Sequence, residues 1–475
     1  MLISYNDVLH SLCETYKQTY PHSRDHEILK EFIDINFQKR EDEKSVTTFE
    51  QFCRSNNFLR KRVINVPLPS DLESQLIEIN INHRNVPDDI VYHEHEDIRK
   101  QIPRGLTFFK SSSSSSSSTD VCIFANRKFV GDMKYADRYF IRNYDDDPTR
   151  KIICMEKING EALHFSCRYM NGKFYLFVGS KNNHILINQF EDINLYREER
   201  FQMAKTFARH LWKLLYQDIS TINRNTLLSL LHHTKMTAIC EILQKDNEHV
   251  VPINRDQILF IAFTSFYCSY NDYSLTAIPP HIGVNLMHML TFTCAPYIIL
   301  NGNLTDNEQY ISESKKHINT EGNVLYFLDD QNRAIRMFTV KTEWYICLRA
   351  LRQKARNINF SLNKNQEPDF DKIDQRYEDI QKWLNLSDKD KMHWIKLCKG
   401  FIHWLICKKF KIDDNYDENE DPDEWIHKIK TNSNRWPSIV SAYKQRLDPQ
   451  LVQNFIHKFV TNWTEFYQPN PSLPF

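Results

Sequence analysis

The sequence predicts an α+β protein with a helical N-terminal region, a strand-rich centre and a helical C-terminal region. Three observations support this prediction. Apolar residues recur at helical spacing over the first ninety or so residues, alternate in a strand-like way from about residue 121 to 190, and return to helical spacing beyond about residue 360. We therefore divide the chain into a helical region 1–95, a mixed region 96–355 and a helical region 356–475.

The N-terminal region combines helical stretches with loops. HEILKEFIDINFQ and TFEQFCRSNNFLRKR have apolar residues at helical spacing, whereas VPLPSD and NVPDD have the composition of loops. The eight-serine tract at residues 111–118 cannot bury apolar surface. We predict that it is a flexible loop that interrupts a strand region.

A tight hairpin is predicted near the start of the strand-rich centre. EALHFSCRYMNGKFYLFVGS has near-alternating apolar residues on both sides of Asn171-Gly172. That dipeptide suits a two-residue turn, because both turn residues need positive φ. An amphipathic helix with Phe201, Phe207, Leu211 and Leu215 follows, and core packing explains it without a function. Further strand-like stretches are MTAICEIL, QILFIAFTSFY, NVLYFL and AIRMFTV.

The C-terminal region is predicted to be helical on both sides of an acidic loop. The helical stretches are DKMHWIKLCKGFIHWLICKKF and PQLVQNFIHKFVTNWTEFY, and the loop is DDNYDENEDPDEW. Tryptophans at helical spacing are more often core residues than a base-stacking platform. The lysines at 389, 391, 396 and 399 form a solvated face, which becomes an RNA contact if the protein acts on RNA.

Composition excludes several classes of protein. The 475 residues suffice for two or three domains, and no apolar run approaches the roughly 18 residues of a membrane-spanning helix. The first residues lack the pattern of a secretory signal, and the eleven cysteines contain no CxxC pair, which favours reduced thiols. We therefore expect an intracellular protein of the cytoplasm or nucleus with no membrane partner. The formal net charge is zero, so any nucleic-acid surface must be a local basic patch.

The stretch CMEKINGEA at residues 154–162 places a lysine at a strand end. Gly160 lets a phosphate or another backbone segment approach closely. Lys157 can act as a nitrogen nucleophile in its neutral form, which neighbouring cations or partial burial favour. Taken alone, an exposed hairpin lysine is the simpler interpretation, so the assignment depends on the rest of the chain.

Other charged residues of the centre supply the remaining chemistry of a nucleotide site. Lys181 in VGSKNNH and Lys341 in FTVKTEWY can neutralise a triphosphate. Glu241 in AICEIL and Glu321 in TEGNVLY are carboxylates in strand-like apolar surroundings, where an unmatched carboxylate is costly. Such carboxylates can accept hydrogen bonds from ribose hydroxyls or help to hold magnesium.

These residues occur in the order of the motifs of the covalent nucleotidyltransferase superfamily, which comprises polynucleotide ligases and capping enzymes. EKING matches the nucleotidyl-lysine signature Lys-x-(Asp/Asn/His)-Gly, TAICEIL the acidic third motif, EGNV the fourth and TVK the fifth. A lone KxNG is weak evidence, whereas these motifs in their proper order are strong. Over roughly residues 100–350 the chain most resembles the tRNA-repair RNA ligases of T-even phages, through RGLTF, KFV, GSKNNHI and FTVKTEWYICL.

The resemblance implies a nucleotidyltransferase ligase core with ATP-grasp-like antiparallel sheets, and an ATP-dependent RNA ligase activity. Such an enzyme seals RNA 5′-phosphate and 3′-hydroxyl ends through a lysyl-AMP intermediate and uses ATP and Mg²⁺. The resemblance assigns the nucleophile to Lys157, a ribose contact to Glu241 and a metal ligand to Glu321. It assigns nucleotide binding to a further set: Glu156, Ile158, Asn159, Gly160, Arg104, Lys128, Lys181, Phe263 and Lys341.

Two points stay open at the level of sequence. The base is expected to lie against Phe263 or against Phe260, which the alternation places on opposite faces of one strand. The fifth motif departs from the usual Lys-x-Lys, because Thr339 stands at the first lysine. Arg336 is the candidate replacement for that lysine.

The alternatives are a DNA ligase, a capping guanylyltransferase, and a non-catalytic RNA-binding protein on a ligase scaffold. DNA ligases and capping enzymes usually follow the fifth motif with an oligonucleotide-binding β-barrel, whereas this chain becomes helical after LRALRQKAR. The RNA branch is therefore favoured. The chain contains no GxxxxGK[ST] phosphate loop, so we do not expect it to heal RNA ends as well.

Overall fold

The structure is a computed structural model that describes residues 1–39, 43–68, 73–81, 86–113, 116–131, 139–140, 148–247, 249–363 and 370–405, and the single residues 421, 424 and 463. The predicted acidic loop 413–425 and the last predicted helix 449–467 lie, apart from these single residues, outside the described residues.

Helices occupy both ends of the described chain and separate groups of strands. The helices are α1 (Tyr5–Thr19), α2 (Asp25–Lys39), α3 (Glu43–Ser55), α4 (Asp88–Glu94), α5 (Glu96–Gln101), α6 (Gln202–Lys213), α7 (Thr221–Thr234), α8 (Phe266–Tyr270), α9 (Pro280–Met289), α10 (Glu308–Ser314), α11 (Glu343–Asn363), α12 (Asp371–Leu384) and α13 (Asp388–Trp404). None of them is long and apolar enough to cross a membrane.

The strands of the described residues form three sheets. The strands are β1 (Leu59–Asn65), β2 (Glu73–Ile81), β3 (Leu106–Ser113), β4 (Ser116–Phe124), β5 (Lys151–Glu156), β6 (Glu161–Met170), β7 (Lys173–Gly179), β8 (His184–Ile187), β9 (Thr237–Leu243), β10 (Gln257–Thr264), β11 (Tyr297–Asn301), β12 (Gly322–Leu328) and β13 (Ala334–Lys341). The sheet orders are β1-β2-β3-β4, β10-β9-β6-β7-β8 and β11-β5-β12-β13. Neighbours such as β5 and β12, or β6 and β9, are antiparallel, which confirms the predicted α+β class.

The predicted hairpin at Asn171-Gly172 is confirmed. The two residues have φ values of 50° and 77°, and Met170 pairs with Lys173 across the turn. The predicted amphipathic helix is also present as α6, which buries Phe207 and Leu211 and continues into a π-helical turn, Leu214–Asp218.

The region 1–95, which was predicted to contain helices and loops, contains two strands besides its helices. Its second half contains β1 and β2, which pair with each other, and β2 also pairs with β3. The sequence does carry a strand signal here, because Ile77, Ile79 and Ile81 alternate with polar residues in β2.

The serine tract is paired, and the prediction of a flexible loop is wrong for its described part. Ser111 of β3 lies opposite Ser118 of β4, and the pairing continues to Ser113 and Ser116. The hydroxyl oxygens of Ser111 and Ser118 lie 3.0 Å apart. A backbone ladder needs no apolar side chains once adjacent residues have fixed its register, so a polar tract can extend it.

The chain divides into two compact units. Unit 1 comprises Met1–Leu243, Asp256–Gln309 and Asn323–Val340, and unit 2 comprises Gln244–Arg255, Tyr310–Gly322 and Lys341–Phe475. One core cluster of unit 1 contains Phe49 and Phe108, which are fully buried. The core of unit 2 is built by α11, α12 and α13 around residues such as Leu351, Tyr377 and Phe401.

Candidate nucleotide site

Lys157 lies directly after β5, in the short connection to β6. The sheet holds β5 between β11 and β12, and residues 152–155 of the strand are buried. This central position fixes the point at which the chain leaves the sheet. Lys157 and Ile158 are partly exposed, Asn159 is buried, and Glu156 is exposed at the strand end.

Gly160 brings this connection against Glu241. The Gly160 N–H donates a hydrogen bond to Oε1 of Glu241 at 3.3 Å. A Cβ added at Gly160 would lie 2.4 Å from the carbonyl oxygen of Ile242, so a larger residue would displace the connection from β9. The lysine signature and the acidic third motif are therefore in direct contact.

β6 belongs to the sheet β10-β9-β6-β7-β8, and its pairing places Lys181 near the end of that sheet at which Glu241 lies. Ala162 of β6 lies opposite Glu241 of β9, and two residues later His164 lies opposite Gly179 of β7. Lys181 follows Gly179 by two residues. The first residues of β6 therefore have the third-motif carboxylate on one side and the Lys181 loop on the other.

Three predicted basic residues converge at the start of α4. Lys128 Nζ lies 2.6 Å from Oδ1 of Asp89, and Lys181 Nζ lies 2.5 Å from Oδ2 of Asp88. The charge of Arg104 acts on both Asp89 and Lys128. We call Arg104, Lys128 and Lys181, together with Asp88 and Asp89, the cation cluster.

The cation cluster is electrostatically coupled. The Lys128 side chain is 13% exposed, and burial lowers the pKa of its ammonium group. The charges of Arg104 and Lys181 act in the same direction, whereas the hydrogen bond and charge of Asp89 oppose them. Partial burial alone raises the pKa of Asp89, but the bond to Lys128 and the three positive charges hold that pKa below its usual value. Converging cations of this kind bind polyanions such as a triphosphate.

Backbone contacts explain why Arg104 and Lys128 lie close together. The Arg104 N–H donates a hydrogen bond to the carbonyl oxygen of Asn126 at 2.8 Å. Arg127, which is buried, is fixed by an ion pair with Asp272 at 3.2 Å. A Cβ added at Gly105 would lie 2.7 Å from Cε1 of His164, so the Arg104-Gly105 turn packs closely on β6.

Sequence reasoning missed Asp88 and Asp89, because NVPDD was interpreted only as a loop. The signal was present. Pro87 followed by two aspartates is typical of a helix start, where acidic side chains are stabilised. Nothing in the sequence indicates that these carboxylates meet Lys128 and Lys181.

Phe260 and Phe263 do not lie on opposite faces of β10, and that expectation is wrong. A β-bulge between Phe260 and Ala262 shifts the alternation, and the two ring centroids lie 4.6 Å apart. Both side chains are fully buried, and both face Gly283 of α9. In this structure neither ring has a face open to a base.

Thr339 and Arg336 occupy different surroundings on β13. Thr339 is buried, its N–H donates to the carbonyl oxygen of Val130 at 2.8 Å, and its methyl group faces Gly131. The Arg336 guanidinium lies 4.1 Å from the ring centroid of Phe327 and 4.3 Å from that of Phe140. Because the two residues are three apart in a strand, Arg336 leaves the sheet on the face opposite Thr339.

A family model described as "Domain of unknown function (DUF7920)" matches residues 47–352, well over half of the chain. The chain belongs to the DUF7920 family. The matched range contains every predicted site residue, from Arg104 to Lys341. Among curated proteins, this DUF7920 protein has no match. Among solved structures, it is similar to "Archaeal ATP-dependent RNA ligase - form 1", with 9% identity and a TM-score of 0.42 over 82% of this chain and 87% of that chain.

The remaining predicted residues of the DUF7920 protein, Glu321 and Lys341, belong to unit 2. Glu321 is buried, and its carbonyl oxygen accepts a hydrogen bond from the N–H of Thr342 at 3.1 Å. The Thr342 hydroxyl donates to the carbonyl oxygen of Thr320 at 2.8 Å, and Lys341 Nζ lies 5.7 Å from the ring centroid of Tyr345. Hydrogen bonds from Thr342, which follows Lys341, therefore join the segments that contain Glu321 and Lys341 within unit 2.

Proposed function

We propose that this protein is an ATP-dependent RNA ligase that joins 5′-phosphate and 3′-hydroxyl RNA ends through a lysyl-AMP intermediate. The observation that carries the proposal is the contact of the Lys157–Gly160 connection with Glu241, because it unites the lysine signature with the third motif. Convergence of Arg104, Lys128 and Lys181 supports it, since a nucleophilic lysine in this chemistry needs cations for the phosphates.

The reaction proceeds in three transfers. The neutral Lys157 amine attacks the α-phosphorus of ATP, the bond to the bridging oxygen breaks, pyrophosphate leaves, and the amine proton passes to solvent. An oxygen of the RNA 5′-phosphate then attacks the same phosphorus, and the phosphorus–nitrogen bond breaks. Finally the 3′-hydroxyl oxygen attacks the 5′-phosphate phosphorus and releases AMP. Each transfer builds charge on phosphate oxygens, which is the main demand on the site.

The described residues divide this work among them. Glu241 accepts from a ribose hydroxyl, and Gly160, which has no Cβ to meet β9, keeps the Lys157 connection against that carboxylate. Arg104, Lys128 and Lys181 bind the phosphates, and to do so the two lysines must exchange Asp89 and Asp88 for phosphate oxygens. Lys341 adds a further phosphate contact.

Glu321 is the proposed magnesium ligand. No group of three or more histidine, cysteine, aspartate or glutamate side chains is arranged for a metal ion among the described residues. That fits Mg²⁺, which is commonly held by one or two carboxylates, substrate phosphates and water rather than by a complete protein cage. When bound, the ion neutralises charge on the phosphate oxygens.

The helices after the fifth motif favour the RNA branch over DNA ligases and capping enzymes. In the described residues that follow Lys341, the chain forms α11, α12 and α13. We therefore propose RNA rather than DNA as the polymer, and ATP rather than GTP as the nucleotide.

The test is covalent labelling with α-labelled ATP and Mg²⁺ in the absence of RNA. We expect label to stay on the denatured wild-type protein and to be lost from Lys157→Ala. Lys173→Ala, at an exposed lysine of the β6–β7 hairpin, is the matched control and should label normally. Label on Lys157→Ala contradicts the assignment, and RNA binding without any label favours a non-catalytic RNA-binding protein. A second assay offers RNA and DNA nicks with ATP or GTP.

A further inference from the structure

A group of neighbouring aromatic side chains lies along α6 and the π-helical turn that follows it, away from the candidate nucleotide site in sequence. The rings of Trp212 and Tyr216 are stacked, with centroids 4.0 Å apart and an interplanar angle of 13°. Phe190, which is 42% exposed, extends the row at 6.4 Å from Trp212. The Arg224 guanidinium covers Tyr216 at 4.5 Å. We call these four residues the aromatic row.

Helical spacing explains how the row and a set of cations share one stripe. Lys205, Arg209, Trp212 and Tyr216 recur at intervals of four, three and four residues, which places them on one side of a helix. The apolar stripe beside them, which includes Phe207, is buried within unit 1. Core packing explains the apolar residues of the buried side, whereas Trp212 and Tyr216 are only partly buried.

The cations of this surface are not neutralised by carboxylates. Among the described residues, no acidic side chain forms an ion pair with Lys205, Arg209, Lys213 or Arg224, and Arg209 only donates to the side chain of Asn194. Asp218 is the one acidic residue between positions 202 and 218. This side of α6 therefore combines several cations with aromatic rings, and carboxylates occur at its edge, with Glu191 beside Phe190 and Asp256 3.9 Å from His210 Nε2.

We infer that the aromatic row and its flanking cations bind a single-stranded segment of RNA at a site separate from the nucleotide site. Phe190 offers an exposed ring on which a base can stack without regard to sequence, whereas Tyr216 is already stacked on Trp212 and covered by Arg224. Neighbouring lysines and arginines follow the phosphates. The guanidinium over Tyr216 adds a second planar cation of the kind that stacks on bases. The inference rests on the proposed function for the choice of RNA as the polymer.

An anionic membrane is the competing partner for a basic amphipathic helix, and the structure argues against it. Membrane binding requires the apolar side of the helix to enter the lipid. In α6 that side, with Phe207 and Leu211, is buried within the protein. On α6 itself Met203 is the one exposed large apolar side chain, and the exposed Phe190 and Leu195 belong to the preceding 3-10 helix, so α6 presents no continuous apolar stripe to a membrane.

The experiment measures binding of a fluorescent single-stranded RNA that lacks a 5′-phosphate and has a blocked 3′ end, so that no ligation step intervenes. The test variant is Arg209→Glu with Lys213→Glu, both on exposed side chains. We expect Kd to rise about tenfold, and the slope of log K against log salt to become shallower by about 0.7 for each lost phosphate contact. A second variant, Phe190→Ala, should weaken binding several-fold without changing that slope.

The matched control reverses two exposed lysines elsewhere in unit 1, with Lys17→Glu and Lys30→Glu on α1 and α2. It should bind RNA like the wild type, and all variants should keep the wild-type circular-dichroism spectrum. If the test variant binds RNA as well as the control variant does, the inference is overturned. It is also overturned if the test variant loses more binding to phosphatidylserine vesicles than to RNA. Labelling by ATP without RNA should be unchanged in the test variant. If neither the wild type nor any variant becomes labelled by ATP, the proposed function fails, whereas the RNA-binding result does not depend on that labelling.

Discussion

At the scale of single residues, the unexpected feature is that carboxylates hold two of the lysines that we propose to bind phosphate. Asp88 and Asp89 contact Lys181 and Lys128 at 2.5 and 2.6 Å. If these lysines bind phosphates as proposed, Asp88 and Asp89 compete with the nucleotide for them. Because Asp88 and Asp89 side chains are 38% and 67% exposed, solvent screens each ion pair to less than about 1 kcal/mol.

We therefore predict that Asp88→Asn with Asp89→Asn lowers the KM for ATP in lysine labelling by about threefold. The measurement is initial labelling rate against ATP concentration at low ionic strength. Glu94→Gln with Asp97→Asn removes two charges from the same helical stretch outside the cation cluster and should leave KM unchanged. A raised KM in the test variant would mean that the aspartates orient the lysines for the nucleotide instead of competing with it.

At the scale of elements, β1 and β2 hold the loop that carries Lys181. The Arg62 guanidinium donates a hydrogen bond to the Asn183 side chain at 3.0 Å, and the His184 N–H donates to Oε1 of Glu78 at 2.7 Å. Burial raises the pKa of Glu78 to about 7, against the opposing effects of that hydrogen bond and of the Arg62 charge. Folding therefore favours the protonated carboxyl.

This shift predicts a pH dependence of stability that a glutamine removes. The contribution of the protonated Glu78 is complete below the ordinary carboxyl pKa of about 4.5 and is lost as pH rises through about 7. Between pH 5 and pH 8 the free energy of unfolding of the wild type should fall by on the order of 2 kcal/mol relative to that of Glu78→Gln. Urea-unfolding curves at both pH values measure this difference in unfolding free energy. Glu94→Gln, at an exposed glutamate, is the control and should behave like the wild type. Parallel behaviour of wild type and Glu78→Gln would contradict the assignment.

Elements with a local signal were predictable from sequence, and long-range contacts were not. Asn171-Gly172 specifies its own turn through positive φ, and the apolar stripe of α6 specifies its buried side. The bulge that turns Phe260 and Phe263 to the same side depends on how β10 pairs with β9, and no residue pattern in β10 predicts it. The pairing of the serine tract likewise depends on the adjacent β3 and β4 residues.

At the scale of the whole molecule, the motif order was predictable and the division into units was not. The predicted boundary at residue 355 follows the change to helical spacing, but unit 2 begins at Lys341 and also takes in residues 244–255 and 310–322. Those short inner segments have no composition of their own that separates them from unit 1. The sequence accordingly predicted roles for Glu321 and Lys341 without indicating the unit to which they belong.

The molecule as a whole should need a metal ion for chemistry and not for folding. No cluster of potential ligands that could form a structural metal site occurs in the described part of the chain, and Mg²⁺ in the proposed reaction is held largely by the substrate phosphates. We predict that EDTA abolishes labelling by ATP and leaves the thermal unfolding midpoint within about 2 °C of its original value, because no ligand group found among the described residues would couple metal binding to folding. Excess Mg²⁺ should restore the label in full. Glu321→Gln should need a several-fold higher Mg²⁺ concentration for half-maximal labelling, whereas Glu308→Gln, at the start of α10, should not. A large fall of the unfolding midpoint with EDTA would instead reveal a structural metal.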